Sequence, residues 1–220
     1  MGKEINLLSE YPKSKRPIKE RSEKVKESDR AIARKFDIEY FDKSRLTGYG
    51  GYKYIPGFWE ETVKRFYNHY NLKKGSKILD AGCAKGFMLY EFKRLFPELE
   101  LFGIDISDYA IKNCHPEIKD NCTTGSVNNI KFDDNFFDLV ISINTIHNLP
   151  LIDCRMALRE IQRVSNKNSF ITVDAWRNDQ EKENMLGWNL TALTYMSTSD
   201  WQKEFKNCGY EGDYFWFIAE

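Results

Sequence analysis

Apolar positions along this chain follow two different spacings. Over 86–96 and again over 153–165 they recur every three or four residues, which predicts one buried face of an α-helix. The run FFDLVISINTIHNL (136–149) begins almost continuously apolar, which is typical of a central strand in a parallel sheet. The other runs predicted as strands are KILDAGC (77–83), LELFGIDIS (99–107), NCTTGSV (121–127), SFITVDAW (169–176) and DYFWFIA (213–219). Strands that alternate with helices predict an α/β sandwich around a mostly parallel sheet.

Composition divides the chain into three predicted segments. Residues 1–35 hold 11 basic and 6 acidic side chains, whereas the rest of the chain carries a net charge of −5. We expect 1–35 to form a charged N-terminal arm, mobile or helical. Residues 36–74 follow as a cover segment and a helix, with tyrosines and glycines concentrated over 40–57, and residues 75–220 form the core domain.

The overall charge and the cysteine content exclude several classes of protein. Lys+Arg and Asp+Glu both total 33, so nucleic acid is disfavoured as a dedicated partner. No apolar run approaches the roughly 18 residues of a membrane span, and the first residues lack the apolar region of a signal peptide. Five cysteines without a CxxC pair predict reduced thiols. We therefore expect a cytoplasmic monomer or homodimer that does not associate with membranes.

Candidate ligand-binding residues follow the first two predicted strands. The first runs into Asp80 and then Gly82-Cys83-Ala84-Lys85-Gly86, directly before a helix, and the second ends at Asp105. Glycines let the backbone approach a ligand, and a carboxylate at the end of the second strand can accept hydrogen bonds from two ribose hydroxyls. A carboxylate at position 80 would repel the pyrophosphate of a dinucleotide but suits an ammonium group. These charges favour S-adenosylmethionine as the cofactor.

The motif ILD-x-GC-x-x-G, followed by a strand that ends in G-I-D, resembles the class I S-adenosylmethionine-dependent methyltransferase family over roughly residues 75–176. The resemblance implies a Rossmann-like, doubly wound, three-layer α/β/α fold. It also implies an antiparallel pair of strands at the edge of the sheet. One strand of that pair is missing from the pattern, and we expect residues 187–196 to supply it. Ala84 stands where the family has its middle glycine, and Ser126 follows the third strand where many members carry an acidic residue. The implied cofactor-binding residues are Asp80, Gly82, Cys83, Ala84, Gly86, Asp105, Ile106, Ser126, Val127 and Asn144.

Polar residues at the tip of the fourth strand are candidates for the acceptor side. His147 is one of three histidines in the chain and could act as a general base, because its ordinary pKa is near neutral. The alternative is that His147 packs at the strand end or hydrogen-bonds the backbone. Asn148 beside it could contact the acceptor. No clear cluster of carboxylates indicates a divalent metal, and Cys114-His115 with Cys122 lacks a completing ligand, so we expect no metal site.

The tyrosine- and glycine-rich segment before the first predicted core helix is the candidate cover of the site. Arg45 could pair with a carboxylate or a phosphate. Tyr49, Tyr52 and Tyr54 could contact either the methionyl carboxylate or the acceptor, and Trp176 flanks the other side of the site. The alternative for this segment is a hydrophobic clamp on the sheet.

The predicted function is methyl transfer from S-adenosylmethionine to an oxygen or nitrogen atom of a small polar metabolite, with a sugar-like unit as one candidate. Two alternatives stay open: an RNA or protein methyltransferase that docks through the basic arm, and an inactive cofactor-binding regulator. The fourth strand lacks the N/D-P-P-Y/F/W motif of amino-group methylases of nucleic acid and glutamine, and no Pro-Cys pair supplies the nucleophile of a cytosine C5 mechanism.

Overall fold

The computed structural model describes residues 2–11, 17–50 and 53–220. Its centre is a seven-stranded sheet with the order β3-β2-β1-β4-β5-β6, in which β7 also pairs with β5. The strands are β1 (Lys77–Ala81), β2 (Glu100–Asp105), β3 (Cys122–Thr124), β4 (Phe137–Ile143), β5 (Ser165–Trp176), β6 (Met196–Ser197) and β7 (Asp213–Phe217). The predicted strands over 77–176 and 213–219 are therefore all present. Five of them are shorter than predicted, whereas β5 begins at Ser165, four residues before its predicted start.

The helices of the described residues lie before the sheet and between its strands. They are α1 (Ile18–Lys24), α2 (Glu27–Ala33), α3 (Ile38–Phe41), α4 (Glu60–His69), α5 (Phe87–Leu95), α6 (Asp108–Lys112), α7 (Leu151–Val164), α8 (Asp179–Trp188) and α9 (Thr198–Cys208). Short 3₁₀ turns over Pro116–Asn121 and Ile146–Asn148 precede β3 and follow β4.

Two hydrophobic cores on opposite faces of the sheet make the fold a three-layer α/β/α sandwich. Adjacent residues of a strand point to opposite faces. Ile78 accordingly packs with α4 and α5, whereas Leu79 packs with α7 and α9. Phe170 and Ile171 on β5 divide between the two cores in the same way. The Rossmann-like, mostly parallel α/β fold is confirmed.

The antiparallel edge strand is the part of the fold prediction that is wrong. β7 pairs with β5 in parallel, from Phe170 with Asp213 to Asp174 with Phe217. β6 also pairs with β5 in parallel, so every strand pairing among the described residues is parallel. Residues 187–196 supply no missing strand, since Gly187 lies in α8 and only Met196 reaches the sheet. Because β5 is 12 residues long, one edge of it accommodates both partners.

The arm over 1–35 contains α1 and α2, and both are attached to the body. α1 packs on α8, and Arg21, Val25 and Ala33 are buried. Upstream, Lys3 and Ile5 hydrogen-bond the backbone of Tyr214, which adds a parallel bridge to the outer edge of β7. The described part of the arm is therefore folded over the core rather than extended from it.

Candidate active site

The loop between β1 and α5 passes through three left-handed backbone positions. Gly82 has φ +100°, Ala84 has φ +48° and Gly86 has φ +71°. A Cβ at position 82 would overlap the side chain of Thr145, so only glycine lets this loop approach the tip of β4. Ala84 takes up a conformation that costs a non-glycine residue about 1–2 kcal/mol. This position is where the family has its middle glycine.

Asp105 holds this loop against the end of β2. Its carboxylate accepts hydrogen bonds from the backbone N–H of Ala84 at 2.8 Å and of Ser107 at 2.9 Å. Burial raises the pKa of Asp105, and these two hydrogen bonds oppose the rise. Each carboxylate oxygen keeps a further lone pair for a hydroxyl donor. The neighbouring Ile106 is 59% exposed, which leaves an apolar side chain uncovered beside the carboxylate.

Asp80 is a buried carboxylate without a cationic partner among the residues that the structure describes. Burial and the nearby charge of Asp105 raise the pKa of Asp80 to about 8. Lys85, the basic residue of the same loop, pairs instead with Asp42. The ammonium group of S-adenosylmethionine would provide the missing positive charge, so the chemistry of this site fits that cofactor.

The end of β3 brings together polar groups that are far apart in the sequence. Ser126 donates a hydrogen bond to Asn128 at 2.6 Å, and Asn128 donates one to Asp153 at the start of α7 at 3.1 Å. An acidic side chain thus joins this position from a different element. Sequence reasoning missed Asn128 and Asp153, because only the packing of α7 brings them to the loop. Val127 is buried in the core.

The tip of β4 is fixed by side chains of β5. Asn144 has φ +52°, and its side-chain oxygen accepts a hydrogen bond from the Thr172 hydroxyl at 2.8 Å. The carbonyl oxygen of Asn144 in turn accepts a hydrogen bond from the side chain of Asn148 at 3.0 Å. The side-chain oxygen of Asn148 is buried and finds no hydrogen-bond partner among residues 2–11, 17–50 and 53–220. A ligand that donates a hydrogen bond could satisfy this oxygen.

His147 is buried, and its ring is held by Asp174. The backbone N–H of Asp174 donates a hydrogen bond to Nδ1 at 3.0 Å, and a carboxylate oxygen of Asp174 lies 3.7 Å from Nε2. Burial lowers the pKa of His147, although the Asp174 carboxylate opposes this shift. Since Nδ1 accepts, the proton of the neutral ring lies on Nε2. In this geometry neither ring nitrogen has the free lone pair that a general base needs.

The cover segment is tied to the cofactor loop by an ion pair between the buried Lys85 and Asp42, which is partly exposed to solvent. Nζ of Lys85, whose side chain is 8% exposed, lies 2.6 and 2.7 Å from the two carboxylate oxygens of Asp42. Asp42 also accepts a hydrogen bond from the Tyr109 hydroxyl. Partial burial alone would raise the pKa of Asp42, but the hydrogen bonds from Lys85 and Tyr109 hold it below its usual value.

The structure separates the tyrosines of the cover segment. The Tyr49 hydroxyl accepts a hydrogen bond from the backbone N–H of Leu190 at 2.9 Å, and burial near Asp174 raises the pKa of Tyr49 to about 12. Tyr54 instead packs on the outer side of α5, where it donates to Glu91. Tyr52 lies outside the described residues. Tyr49 therefore lies near the ends of β4 and β5, and Tyr54 anchors the segment elsewhere.

The remaining candidates lie around the same end of the sheet. Arg45 is exposed, and its carbonyl oxygen accepts a hydrogen bond from Arg21 at 3.2 Å. Trp176, at the end of β5, contacts the ring of Tyr195 edge to face. Cys83 is buried. Over residues 2–11, 17–50 and 53–220, no group of three or more His, Cys, Asp or Glu side chains could hold a metal ion. The helices of these ranges include none long and apolar enough to cross a membrane.

Comparison with known proteins identifies the family. A family model described as a methyltransferase domain matches residues 72–212. The chain is 32% identical over 128 residues to a tRNA (carboxymethyluridine(34)-5-O)-methyltransferase of Arabidopsis thaliana, which covers 57% of this chain and 30% of that protein. It is 31% identical over 125 residues to a demethylmenaquinone methyltransferase of Staphylococcus carnosus, which covers 54% of this chain and 51% of that protein. Each alignment thus spans about half or less of the relative.

Structural comparison agrees with this match. The YcgJ protein of Bacillus subtilis superimposes with a TM-score of 0.54 at 19% identity, over 66% of each chain, which shows a shared fold. The sheet, the loop after β1 and the match over 72–212 define a class I methyltransferase. The chain belongs to this family, whose members use S-adenosyl-L-methionine.

Proposed function

We propose that this enzyme methylates an oxygen or nitrogen atom of a small polar acceptor, with a sugar-like metabolite as one candidate. The observation that carries the proposal is the buried, unpaired carboxylate of Asp80 beside Asp105, under a cover segment tied down by Lys85 and Asp42. The carboxylates suit the cofactor, and we infer from the stacked rings of Tyr49 and Trp188, whose centroids lie 5.8 Å apart, that the cover encloses the acceptor side. An enclosed site favours a small acceptor over a macromolecule.

In this proposal the loop residues hold the cofactor in separate ways. Asp80 binds the ammonium group of the cofactor, Asp105 binds the ribose hydroxyls, and Ile106 packs against the adenine. The glycine-rich loop lets the backbone come close to the cofactor at Gly82, Ala84 and Gly86. Ser126, through Asn128, offers polar atoms at the adenine edge. Three further candidate cofactor-binding residues have side chains that are buried or already hydrogen-bonded, so we propose that they contact the cofactor through the main chain: Cys83, Val127 and Asn144.

When bound, the cofactor supplies an electrophilic sulfonium methyl group, and the protein has to align an acceptor with it and exclude water. We assign His147 a positioning role. Its Nδ1 binds the backbone of Asp174, and its carbonyl oxygen accepts hydrogen bonds from the backbone N–H groups of Leu193 and Thr194. The ring of His147 therefore joins the tips of β4 and β5, and its backbone carbonyl group joins the tip of β4 to the segment after α8. An acceptor that is already a nucleophile at neutral pH would need no base here.

The acceptor is proposed to lie between this tip and the cover segment. Asn148 offers its unpartnered side-chain oxygen, Tyr49 its ring and hydroxyl, and Arg45 a guanidinium group. Trp176 closes the far side, and Tyr54 holds the cover on α5. The five cysteines are all free and buried, which supports the prediction that the protein works in the reducing cytoplasm.

An RNA acceptor is the second candidate, and the similarity to a tRNA methyltransferase is the observation that favours it. Docking through the arm has less support, because Arg21 and Arg30 bind the backbone carbonyl groups of Trp188 and Asn189. A catalytically inactive regulator is the third possibility.

One experiment compares the three candidates. The protein is incubated with methyl-tritiated S-adenosylmethionine and either a low-molecular-weight cell extract or total tRNA. We expect label in the small-molecule fraction, and we expect that label to disappear in Asp80→Asn but not in Asp133→Asn, an exposed aspartate away from the site. Label in the tRNA would reject the small acceptor. No label in either fraction, with cofactor binding intact, would favour the regulator.

A further inference from the structure

Arg21 on α1 is a buried cation without an anionic partner. Arg21 is 7% exposed, and among the described residues no carboxylate lies within salt-bridge distance of its guanidinium group. Nε donates a hydrogen bond to the carbonyl oxygen of Trp188 at 3.1 Å, and Nη1 donates one to the carbonyl oxygen of Arg45 at 3.2 Å. Nη2 is buried and has no hydrogen-bond partner in the part of the chain that the structure describes. The two carbonyl contacts hold the guanidinium in place and leave one edge of it unused.

Two aromatic rings orient this guanidinium. Its central carbon lies 4.8 Å from the ring centroid of Tyr49 and 4.9 Å from that of Trp188. Cation–π contacts stabilise the positive charge but do not satisfy an N–H donor. Burial lowers the pKa of Arg21, and the Arg45 guanidinium nearby adds to that shift. The charge is thus confined in a site where an anion would be strongly favoured.

Further arginines surround the same point. Arg45 is exposed and has no acidic partner in the described part of the chain. Its Nη1 lies 2.6 Å from the position that a Cβ of Gly50 would occupy, next to Tyr49. Arg30 binds the carbonyl oxygen of Asn189, one residue beyond the carbonyl group that Arg21 binds. Within the described ranges, Arg30 alone of these three arginines has a carboxylate nearby, Glu27 at 3.9 Å.

This arginine cluster (Arg21, Arg30 and Arg45) belongs to the acceptor side of the site. The cluster binds the carbonyl groups at the end of α8 and just after it, and the same segment continues to Leu193 and Thr194. The N–H groups of these two residues donate hydrogen bonds to the carbonyl oxygen of His147 at the tip of β4. The Tyr49 hydroxyl binds the same segment at Leu190. The groups assigned to the cofactor stand instead at the ends of β1 and β2.

We propose that the methyl acceptor carries an oxyanion group, a carboxylate or a phosphate, which accepts hydrogen bonds from Nη2 of Arg21 and from the Arg45 guanidinium. Guanidinium groups bind planar carboxylates and phosphates through paired hydrogen bonds, which fix both position and orientation. This inference rests on the proposed function, since it concerns the acceptor of that reaction. It defines the acceptor as an acidic small molecule.

The test measures anion binding to the full chain saturated with S-adenosylhomocysteine. Inorganic phosphate, and acetate in a parallel series, replaces chloride at constant ionic strength, and thermal unfolding and titration calorimetry report binding. The variants are Arg45→Gln, whose side chain makes no hydrogen bond or ion pair with the described residues, and Arg159→Gln, an exposed arginine on α7 away from the cluster. Arg21→Lys keeps a positive charge but removes the Nη2 donor.

We expect saturable phosphate or acetate binding to the wild type and to Arg159→Gln. Arg45→Gln and Arg21→Lys should bind the anion about ten- to a hundredfold more weakly, as expected when a charged hydrogen bond is lost. Whichever of the two anions binds more tightly identifies the group. If Arg21→Lys does not fold, Arg45→Gln alone decides the question.

Equal anion affinity in Arg45→Gln and Arg159→Gln would overturn the proposal. So would phosphate that competes with S-adenosylhomocysteine, because the arginine cluster would then serve the carboxylate of the cofactor. Binding of S-adenosylhomocysteine is measured first on each sample. Its absence would reject the proposed function, whereas its presence without anion binding rejects the oxyanion site alone.

Discussion

The backbone N–H of Asp174 donates a hydrogen bond to Nδ1 of His147 at 3.0 Å, and this contact joins the ends of β5 and β4 beneath the acceptor side of the site. A histidine at a strand tip is often considered a base. Here the hydrogen bond uses the lone pair that a base would need, and burial disfavours the protonated ring. The structure therefore favours a histidine that positions other groups.

His147→Asn tests this role, because the asparagine side-chain oxygen can replace Nδ1 as the acceptor of the Asp174 N–H. We expect His147→Asn to keep its maximal rate within about fivefold, whereas loss of a general base costs about 10²–10⁴-fold. His147→Ala should lower the free energy of unfolding by about 1–3 kcal/mol, since it leaves a buried N–H without a partner. Rate assays and urea unfolding measure the two effects. A maximal rate that is a hundredfold or more lower in both variants, with folding intact, would show that His147 acts as a general base.

The burial of His147 makes stability depend on pH. Because the pKa of His147 is lowered in the folded state, the unfolded chain takes up the proton first as the pH falls through about 6.5. The stability of the wild type relative to His147→Asn should therefore decrease below pH 6.5 and stay constant above pH 7. Urea unfolding of both proteins between pH 5 and pH 8 measures the difference. A difference that does not change with pH would contradict the buried, neutral ring.

Gly82 and Ala84 provide a matched pair of substitutions in the cofactor loop. Gly82→Ala would place a methyl group on the Thr145 side chain at a positive φ, so we expect it to cost about 2 kcal/mol or more and to weaken cofactor binding. Ala84→Gly relieves a left-handed alanine but gains entropy in the unfolded chain, so its effect should stay within about 1 kcal/mol. Thermal unfolding and cofactor titration measure both. Similar losses in the two variants would show that the loop does not have this shape.

Asp42 tests the closure of the cover segment. Asp42→Asn removes the ion pair with Lys85 while keeping the size of the side chain. We expect S-adenosylhomocysteine to dissociate several-fold faster, because the cover is then held less firmly over the loop after β1. Stopped-flow displacement measures this rate, with Asp37→Asn on the same segment as the control. An unchanged dissociation rate in Asp42→Asn would show that this ion pair of the cover segment does not help to retain the cofactor.

Asp80 is expected to reduce the stability of the free protein while serving the cofactor. Its pKa is about 8 in the folded state and near 3.8 in an exposed carboxyl. As the pH rises, the unfolded chain therefore loses this proton before the folded protein does. The protonated form stabilises the fold fully below pH 4, and this stabilisation is lost as the pH approaches 8. At pH 8 Asp80→Asn should be more stable than the wild type, by on the order of 2 kcal/mol.

The same substitution should weaken binding of S-adenosylhomocysteine more than tenfold, because the ammonium group loses its counter-charge. Urea unfolding at pH 5 and pH 8, together with calorimetry, measures both effects, and Asp133→Asn is the control. If Asp80→Asn were less stable at pH 8 and bound the cofactor normally, the carboxylate would be a structural group rather than a ligand for the cofactor.

The sequence predicted the parts of the site that lie on the regular strands. Asp80 and Asp105 each end a short apolar run, and parallel strands bring their ends to one edge of the sheet, so both could be assigned from the pattern alone. The tip of β4 could be located in the same way. The role of His147 could not, because it depends on which group its Nδ1 accepts from.

Other features depend on contacts between distant segments. α8 (DQEKENMLGW) has no clear apolar face, so neither the helix nor the α1 helix that packs on it could be identified from hydrophobic spacing. Arg21 is one of 11 basic residues in the arm, and only the fold shows that it is buried. The direction of β7 depends on how the chain returns after α9, which residue patterns in the strand itself do not record.

The proposed function depends most directly on cofactor binding at the end of β2. Calorimetric titration of S-adenosylhomocysteine into the wild type, Asp105→Asn and Asp133→Asn measures it. We predict equal affinities for the wild type and Asp133→Asn, and an affinity about ten- to a hundredfold lower for Asp105→Asn, since hydrogen bonds to a charged group contribute about 1.5–3 kcal/mol. No heat with the wild type, or equal affinity in Asp105→Asn, would contradict the account.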